Sequence, residues 1–483
     1  MHDLPFISAT DAIGLFRKGE LSPVELLDAV LARIDRVEPQ VNALTEVMRE
    51  EAYEAARAAE SAYLGKAGRE PRALEGVPVA VKEEQPIAGK SLVLGSRLME
   101  GYIADVTHPI IDRILGAGGV IHARTTTPEF SSAAFTHTDV WGLTRNPWNP
   151  AFGPGGSSGG SGAALASGET VLATGSDIGG SIRIPAGYCG VVGFKPPFGR
   201  VPALPPFNND AYCHDGPMAR TVADCALLEN VVAGKHPLDP ISMPACAPVS
   251  ADPGDLSGMR IAWARSLGDI PVEREVADAT RAVADRLASL GAVVTEIELP
   301  LTQEQLIATV MPHYGAIMGP SVAEVTQGRD DLLMPYVRDF LARSGPSAEG
   351  GGFYRGLELE APLMMMVNAI FQEYDAFVCP TNAGLGLVAG DNYTETTAIV
   401  DGQELQHYLM TSLTPLFNVM SRCPVLAVPS GIASNGVPMG VQIVGPTYED
   451  AVPFRIGAAL ESQMRWWADP TWRPSLVLDG TAS

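Results

Sequence analysis

A chain of 483 residues with 46% hydrophobic and 18% charged side chains can bury a large core, and that balance excludes a disordered chain. Its formal net charge of -23 opposes broad affinity for phosphate backbones or anionic lipid surfaces, so neither nucleic acid nor membrane is expected as a partner. No apolar run approaches the roughly 20 residues of a membrane span, and the opening MHDLPFISATDAIGLF lacks a basic stretch followed by an apolar core. A soluble cytoplasmic protein is expected. Six cysteines without a CxxC pair and eight histidines without HExxH spacing suit a reducing compartment, and no metal or cofactor is expected.

The first 75 residues read as helical. Ser22 and Glu25 of SPVE are spaced as a capping box, and Leu26, Leu27, Val30, Leu31 and Ile34 follow at helical intervals. From Gly76 the pattern changes to short apolar strands between dense Gly, Ser and Pro, which places the chemistry in residues 76–234. Residues 235–370 read as a variable α/β region: a Pro-rich stretch, a strand MRIAWA, a helix VADATRAVADRLASLG and a second strand AVVTEIEL. Within it, residues 344–356 show no periodicity and read as a mobile loop, either a lid over a pocket or an ordinary surface connection. Residues 371–483 return to strands such as AFVCP, VLAVP and GVQIVG. One large domain, an α/β fold with a large mixed β-sheet core flanked by α-helices, accommodates this order.

Residues 153–168, GPGGSSGGSGAALASG, surround Ser157, Ser158 and Ser161 with glycine and run into an Ala/Leu helix. A phosphate-binding loop would need a lysine after its last glycine, and there is none. Downstream, a strand ends at Asp177 and a tight Ile178-Gly179-Gly180-Ser181 turn follows. Such a turn can aim several N–H groups at the point where negative charge develops beside a nucleophilic hydroxyl. A serine needs a base, and Lys82, which ends the apolar strand GVPVAVK, qualifies if burial keeps its amine neutral. On spacing alone an exposed strand end with its amine in solvent is the better reading of Lys82.

The Gly-Val-Pro-Val-Ala-Val-Lys strand, the GGSSGGS loop and the GSDIGGSIRIPA turn leading into GFKP together resemble the amidase signature family. The likeness extends to HARTTTPEF, WGLTRNPWNP, GPMARTVADCALL, VCPT, FNVMSRCPVLAVPSG and GVPMGVQIVG, leaving residues 235–370 outside it. The family carries a Ser-Ser-Lys triad, and its spacing between the two serines, 24 positions, is met by Ser157 and Ser181. The resemblance implies Ser181 as nucleophile, Ser157 as relay after a cis Gly156-Ser157 bond, and Lys82 as base and then acid. It implies an oxyanion hole of the N–H groups of Ile178, Gly179, Gly180 and Ser181, with Ser158, Asp177 and Arg183 holding the loops together. The implied activity is hydrolysis of C–N bonds in linear amides, anilides, esters or carbamates (urethanes) through an acyl-enzyme. Its partners would be a small-molecule substrate and water, with a homodimer left open.

Weaker candidates fall outside that set. Thr125, Thr126, Thr127 and Glu129 are explained by a capped helix start, and His214-Asp215 are sequence neighbours that seldom align as a base and its orienter. Met364, Met365 and Met366 suit either an apolar pocket or a buried helix. Two positions depart from the family. Glu83-Glu84 follow Lys82 where Asp-Asn is common, so at least one carboxylate is expected to point away or pair elsewhere, since both together would raise the lysine pKa. The glutaminase subunit of a tRNA-dependent amidotransferase, the alternative reading, usually has an acidic residue after Tyr-Leu-x; here Thr411 follows Tyr408-Leu409-Met410. A stand-alone hydrolase is therefore favoured.

Overall fold

The computed structural model describes residues 4–244 and 246–476. Local capping chemistry starts the first helices. Helix α1 (Ala9–Lys18) begins where the Ser8 hydroxyl accepts the Asp11 N–H, and stops at Gly19 in the left-handed region. Helix α2 (Pro23–Val41) opens on the expected capping box: the Glu25 N–H donates to Ser22 Oγ at 3.1 Å, and the Ser22 N–H to Glu25 Oε2 at 2.8 Å. Its residues Leu26, Leu27, Val30, Leu31 and Ile34 are all buried, and α3 (Arg49–Tyr63) packs beside it.

Eleven strands form one mixed sheet. In chain order they are β1 (Leu44–Val47), β2 (Pro78–Lys82), β3 (Val120–Thr125), β4 (Leu172–Asp177), β5 (Val192–Lys195), β6 (His214–Ala219), β7 (Arg260–Trp263), β8 (Val293–Glu296), β9 (Ala376–Pro380), β10 (Val425–Ile432) and β11 (Pro438–Val444). Across the sheet the order is β1-β3-β2-β4-β6-β5-β10-β11-β9-β7-β8. Strand β2 runs parallel to both β3 and β4, and β7 runs parallel to β8 and β9. The other pairings are antiparallel. Strands β2 and β3 are buried along their whole length. A continuous apolar run such as PVAV is what a central strand with both faces covered requires.

The remaining helices cover the two faces: α4 (Pro109–Gly116), α5 (Gly159–Ser167), α6 (Arg183–Cys189), α7 (Val222–Val232), α8 (Arg274–Ser289), α9 (Gln303–Thr326), α10 (Pro335–Ala348), α11 (Gly352–Glu373), α12 (Leu416–Val419) and α13 (Ala451–Met464). One apolar core joins α1, α2, α4, α7 and α13 to the sheet. A second gathers Tyr314, Met318, Val337, Phe340 and Val367 of α9, α10 and α11 around Phe377 and Phe417. All six cysteines are unpaired, and no helix among the described residues is long and apolar enough to cross a membrane.

The second core corrects one expectation. Residues 344–356 are not a loop: α10 continues to Ala348, α11 starts at Gly352, and Gly351, at φ 88°, caps the entry. Packing explains why helix survives a Gly- and Pro-rich stretch. The Cα of Gly315 on α9 lies so close to the Ser344 carbonyl of α10 that a Cβ would collide with it, and that closeness lets the two helices bury Tyr336, Val337 and Phe340. The three methionines lie on α11, with Met365 largely exposed and Met364 and Met366 packed against the second core.

Candidate active site

Parallel pairing of β2 with β4 brings the C-terminal ends of both strands to one rim of the sheet, and those ends are Lys82 and Asp177. The Lys82 side chain is fully buried. Its Nζ lies 2.6 Å from Ser157 Oγ, 2.8 Å from Ser176 Oγ and 3.1 Å from Glu84 Oε1. Its backbone N–H donates to Thr174 Oγ1 at 3.0 Å, pinning the strand end. Burial pulls the ammonium below the ordinary lysine range, against the opposing charges of Glu84, Asp215 and Asp177.

Ser157 stands just before α5, after a cis Gly156-Ser157 peptide bond. The next residue ties this loop to the Ser181 turn: the Ser158 N–H donates to the Ser181 carbonyl at 3.1 Å. Ser158 Oγ also accepts the Ser176 N–H at 3.2 Å. Among the described residues no hydrogen bond joins the Oγ atoms of Ser157 and Ser181; their loops are joined through the Ser158 backbone.

The turn itself is built on Asp177. This carboxylate accepts the Gly180 N–H at 2.8 Å, the Arg183 fork at 2.9 and 3.0 Å, and Asn418 Nδ2 at 2.9 Å. Burial alone would raise its pKa, but the Arg183 guanidinium and Asn418 hold it well below the usual carboxylate range. Arg183 also donates to the Thr414 carbonyl, Gln442 Oε1 and Asn418 Oδ1, so one clamp joins the turn to the far strands. Only glycine fits at position 180, where φ is 125° and a Cβ would strike the Thr414 hydroxyl. The Gly180 N–H is spent on Asp177, whereas those of Ile178, Gly179 and Ser181 have no hydrogen bond among the described residues.

Ser181 opens onto a cavity of about 40 Å³. Its walls include Ile184, Met318, Phe340 and Leu409, with Tyr314 and Ser131 also on the lining, and no charged side chain among the described residues. Tyr314 and Phe340 come from α9 and α10, so this wall is supplied by the region that shows no motif; Met364, Met365 and Met366 do not line it.

The two carboxylates after Lys82 diverge. Glu83 accepts the Val93 and Leu94 N–H groups at 2.6 and 3.0 Å and lies 3.6 Å from Arg124 Nη2, away from the lysine; burial pushes it up to about 7. Glu84 faces Lys82. His214 and Asp215 also point apart: the imidazole bonds the carbonyls of Tyr212 and Ser421, and Asp215 accepts from Gln85 Nε2 at 2.6 Å. Thr125 bonds Ser161 at 2.8 Å, Thr126 bonds Thr144 at 2.7 Å, and Thr127 bonds Ser131 at 2.8 Å. Glu129 anchors Met334 N–H and Ser96. Sequence reading missed Thr414, Asn418 and Gln442 as site residues; they lie more than two hundred residues from Asp177, and although Asn418 and Gln442 fall in the family-like segments FNVMSRCPVLAVPSG and GVPMGVQIVG, nothing in those segments says that they reach the Asp177 turn.

A serine-lined sheet rim with a buried lysine at its centre and a glycine turn opposite describes one class of hydrolase fold. The family model described as Amidase matches residues 25–452, and this chain belongs to the amidase signature family. It is 32% identical over 512 aligned residues to one of the subunits of the glutamyl-tRNA(Gln) amidotransferase of Chloroflexus aurantiacus, with 99% of this chain and 100% of that protein covered. It is equally 32% identical to an acylamidase of Rhodococcus erythropolis, with 99% of each covered. Among solved structures, a bacterial aryl acylamidase of the amidase signature family superposes with a TM-score of 0.88 at 26% identity, covering 95% of this chain and 97% of that one. A 6-aminohexanoate cyclic dimer hydrolase complexed with substrate superposes at 0.83 and 29% identity, covering 98% and 99%.

Proposed function

We propose that this chain is a stand-alone amidase, acting as one amidase domain in a reducing cytoplasm, that cleaves uncharged linear amides through an acyl-enzyme on Ser181. The observation that carries the reading is the buried Lys82 amine 2.6 Å from Ser157 Oγ, at a site whose next loop contact is Ser181. Lys82 takes the Ser157 proton as Ser157 takes that of Ser181, and Ser181 Oγ bonds the substrate carbonyl carbon. The oxyanion forms beside the N–H groups of Ile178, Gly179 and Ser181, each worth about 3 kcal/mol of barrier in such sites. Lys82 then returns the proton through Ser157 to the leaving nitrogen, and water releases the acid. Contacts at the relay step commonly tighten only when substrate binds.

The uncharged cavity wall supports a neutral acyl group, and anilides, esters and carbamates present the same carbonyl to the same groups. The glutaminase reading has full-length similarity to the amidotransferase protein in its favour. Against it stands the cavity: no charged side chain among the described residues lines it, and Thr411 turns its hydroxyl inward to the Tyr408 carbonyl at 2.7 Å, leaving nothing there to grip an amino-acid ammonium or carboxylate. Stopped-flow assay with an acyl nitroanilide or nitrophenyl ester tests the proposal. A burst of product equal to the enzyme concentration is expected, with the acyl group on Ser181 by mass spectrometry. An adduct on another residue, or turnover of glutamine only with a copurified partner, overturns it.

A further inference from the structure

The three groups around Lys82 Nζ match the donor count of an ammonium ion. Ser157 Oγ, Ser176 Oγ and Glu84 Oε1 stand at 2.6, 2.8 and 3.1 Å, and a protonated lysine has three N–H bonds to give. When the amine is neutral, it has two N–H bonds and one lone pair. Ser176 and Glu84 then take the N–H bonds, and the lone pair is left aimed at the Ser157 hydroxyl. Glu84 is itself fixed, because the Ser131 hydroxyl donates to its other oxygen and Ser131 is held in turn by Thr127 Oγ1 at 2.8 Å. The carboxylate is mostly buried, at 19% side-chain exposure, where a charge at this distance is weakly screened.

Resting on the triad reading above, we propose that Glu84 is a positioning residue for the base: its carboxylate orients the Lys82 amine toward Ser157 and holds the proton that Lys82 gains. The family resembled in this segment commonly has asparagine at this place. An amide there offers the same acceptor without the charge, so the charge is what this chain adds. Other ionisable groups face the pair. Asp177 and Asp215 act on Lys82 from β4 and β6; His108, at the start of α4, and Cys213 face Glu84. Asp177 is neutralised by Arg183, and Asp215 lies 3.6 Å from His108, which leaves Glu84 as the carboxylate in direct contact with the amine. Burial would raise the Glu84 carboxyl, yet the Lys82 ammonium and the Ser131 and Ser176 hydroxyls hold it below the usual range.

The test is the pH profile of kcat/KM. A carboxylate in contact raises the pH at which an amine loses its proton, so Glu84→Gln and Glu84→Asn move the acidic limb down by about one pH unit or more, and Glu84→Asp returns it toward the wild-type position. A merely structural role would lower activity without moving the limb. Limbs unmoved in both neutral variants overturn the proposal. Should neither neutral variant fold, nitrogen-15 titration of the Lys82 amine in wild type and Glu84→Asp decides it: the shorter carboxylate, held farther from the amine, is expected to lower the pH at which Lys82 loses its proton, and identical titrations overturn the proposal. Failure here is separable from failure of the triad, because full activity in Ser181→Ala would sink the triad itself, whereas an unmoved limb with an intact Ser181 burst sinks only the role of Glu84.

Discussion

Lys82 meets Ser157, and the Ser181 turn is tied to the Ser157 loop, because two parallel strand ends and one glycine-rich loop share a rim. Ser181→Ala should abolish turnover and leave the fold intact, checked by activity and circular dichroism. Lys82→Ala and Ser157→Ala should each cost a similar factor, and the double variant little more, since members of one relay fail together; a double variant far worse than either single would contradict the relay. Asp177→Asn should cost about 3 to 5 kcal/mol of stability, because it strands the buried Arg183 charge; a urea-denaturation loss below about 1 kcal/mol would show that the clamp is not built as described. At this scale the approach of Lys82 to Ser157, beside the Ser181 turn, was legible because the motifs fix residue type and spacing together. The spent Gly180 N–H was not, because its partner is chosen by a turn geometry that spacing does not encode; that one of the two glutamates would turn from Lys82 was expected, but which one depends on where the Val93-Leu94 backbone comes to lie.

Among the elements, α2 and the central strands were readable from capping and periodicity, whereas α10 and the start of α11 were not. Their sequence is poor in helix formers, and the helix is held by contact with α9 rather than by propensity. Gly315 is the test of that contact. Gly315→Ala places a Cβ against the Ser344 carbonyl and should cost about 1 to 3 kcal/mol, with KM for bulky anilides changing more than kcat for a small ester. The wall they form is specific to its own side chains: Phe340→Ala should enlarge the cavity beside Ser181 and shift preference toward larger acyl groups, measured as the ratio of kcat/KM for a long and a short acyl ester. An unchanged ratio would place the acyl group elsewhere.

For the molecule as a whole, the mixed sheet and its two covered faces followed from the run of apolar strands and intervening helices, but strand order did not, since pairing of β5 with β10 or β4 with β6 joins segments by long-range packing. The same burial leaves carboxyl groups inside an already acidic chain. Glu461 is pushed up to about 8 by burial and Glu229 well above the ordinary range. A carboxyl with a raised folded pKa contributes stability in full below its unfolded value and loses it as pH rises through the folded one. Buried His214 and His407, drawn down to about 3 and about 4, act oppositely until pH passes their unfolded value of 6.5, so wild type should lose stability from about pH 6.5 toward 8. Lys195, drawn down to about 7 by burial, acts oppositely only above that value. Glu461→Gln, which keeps an acceptor for the Val222 N–H, should flatten the decline in denaturation midpoint over that range; parallel declines in variant and wild type would count against it.

The groups proposed to react come from residues 82–181, while Tyr314, Met318 and Phe340 of the cavity wall are lent by α9 and α10, residues 303–348. Those helices enter between β8 and β9, at the opposite edge of the sheet from β1. A lineage can thus redraw the guest list by editing two helices, with the residues proposed to break the bond never touched.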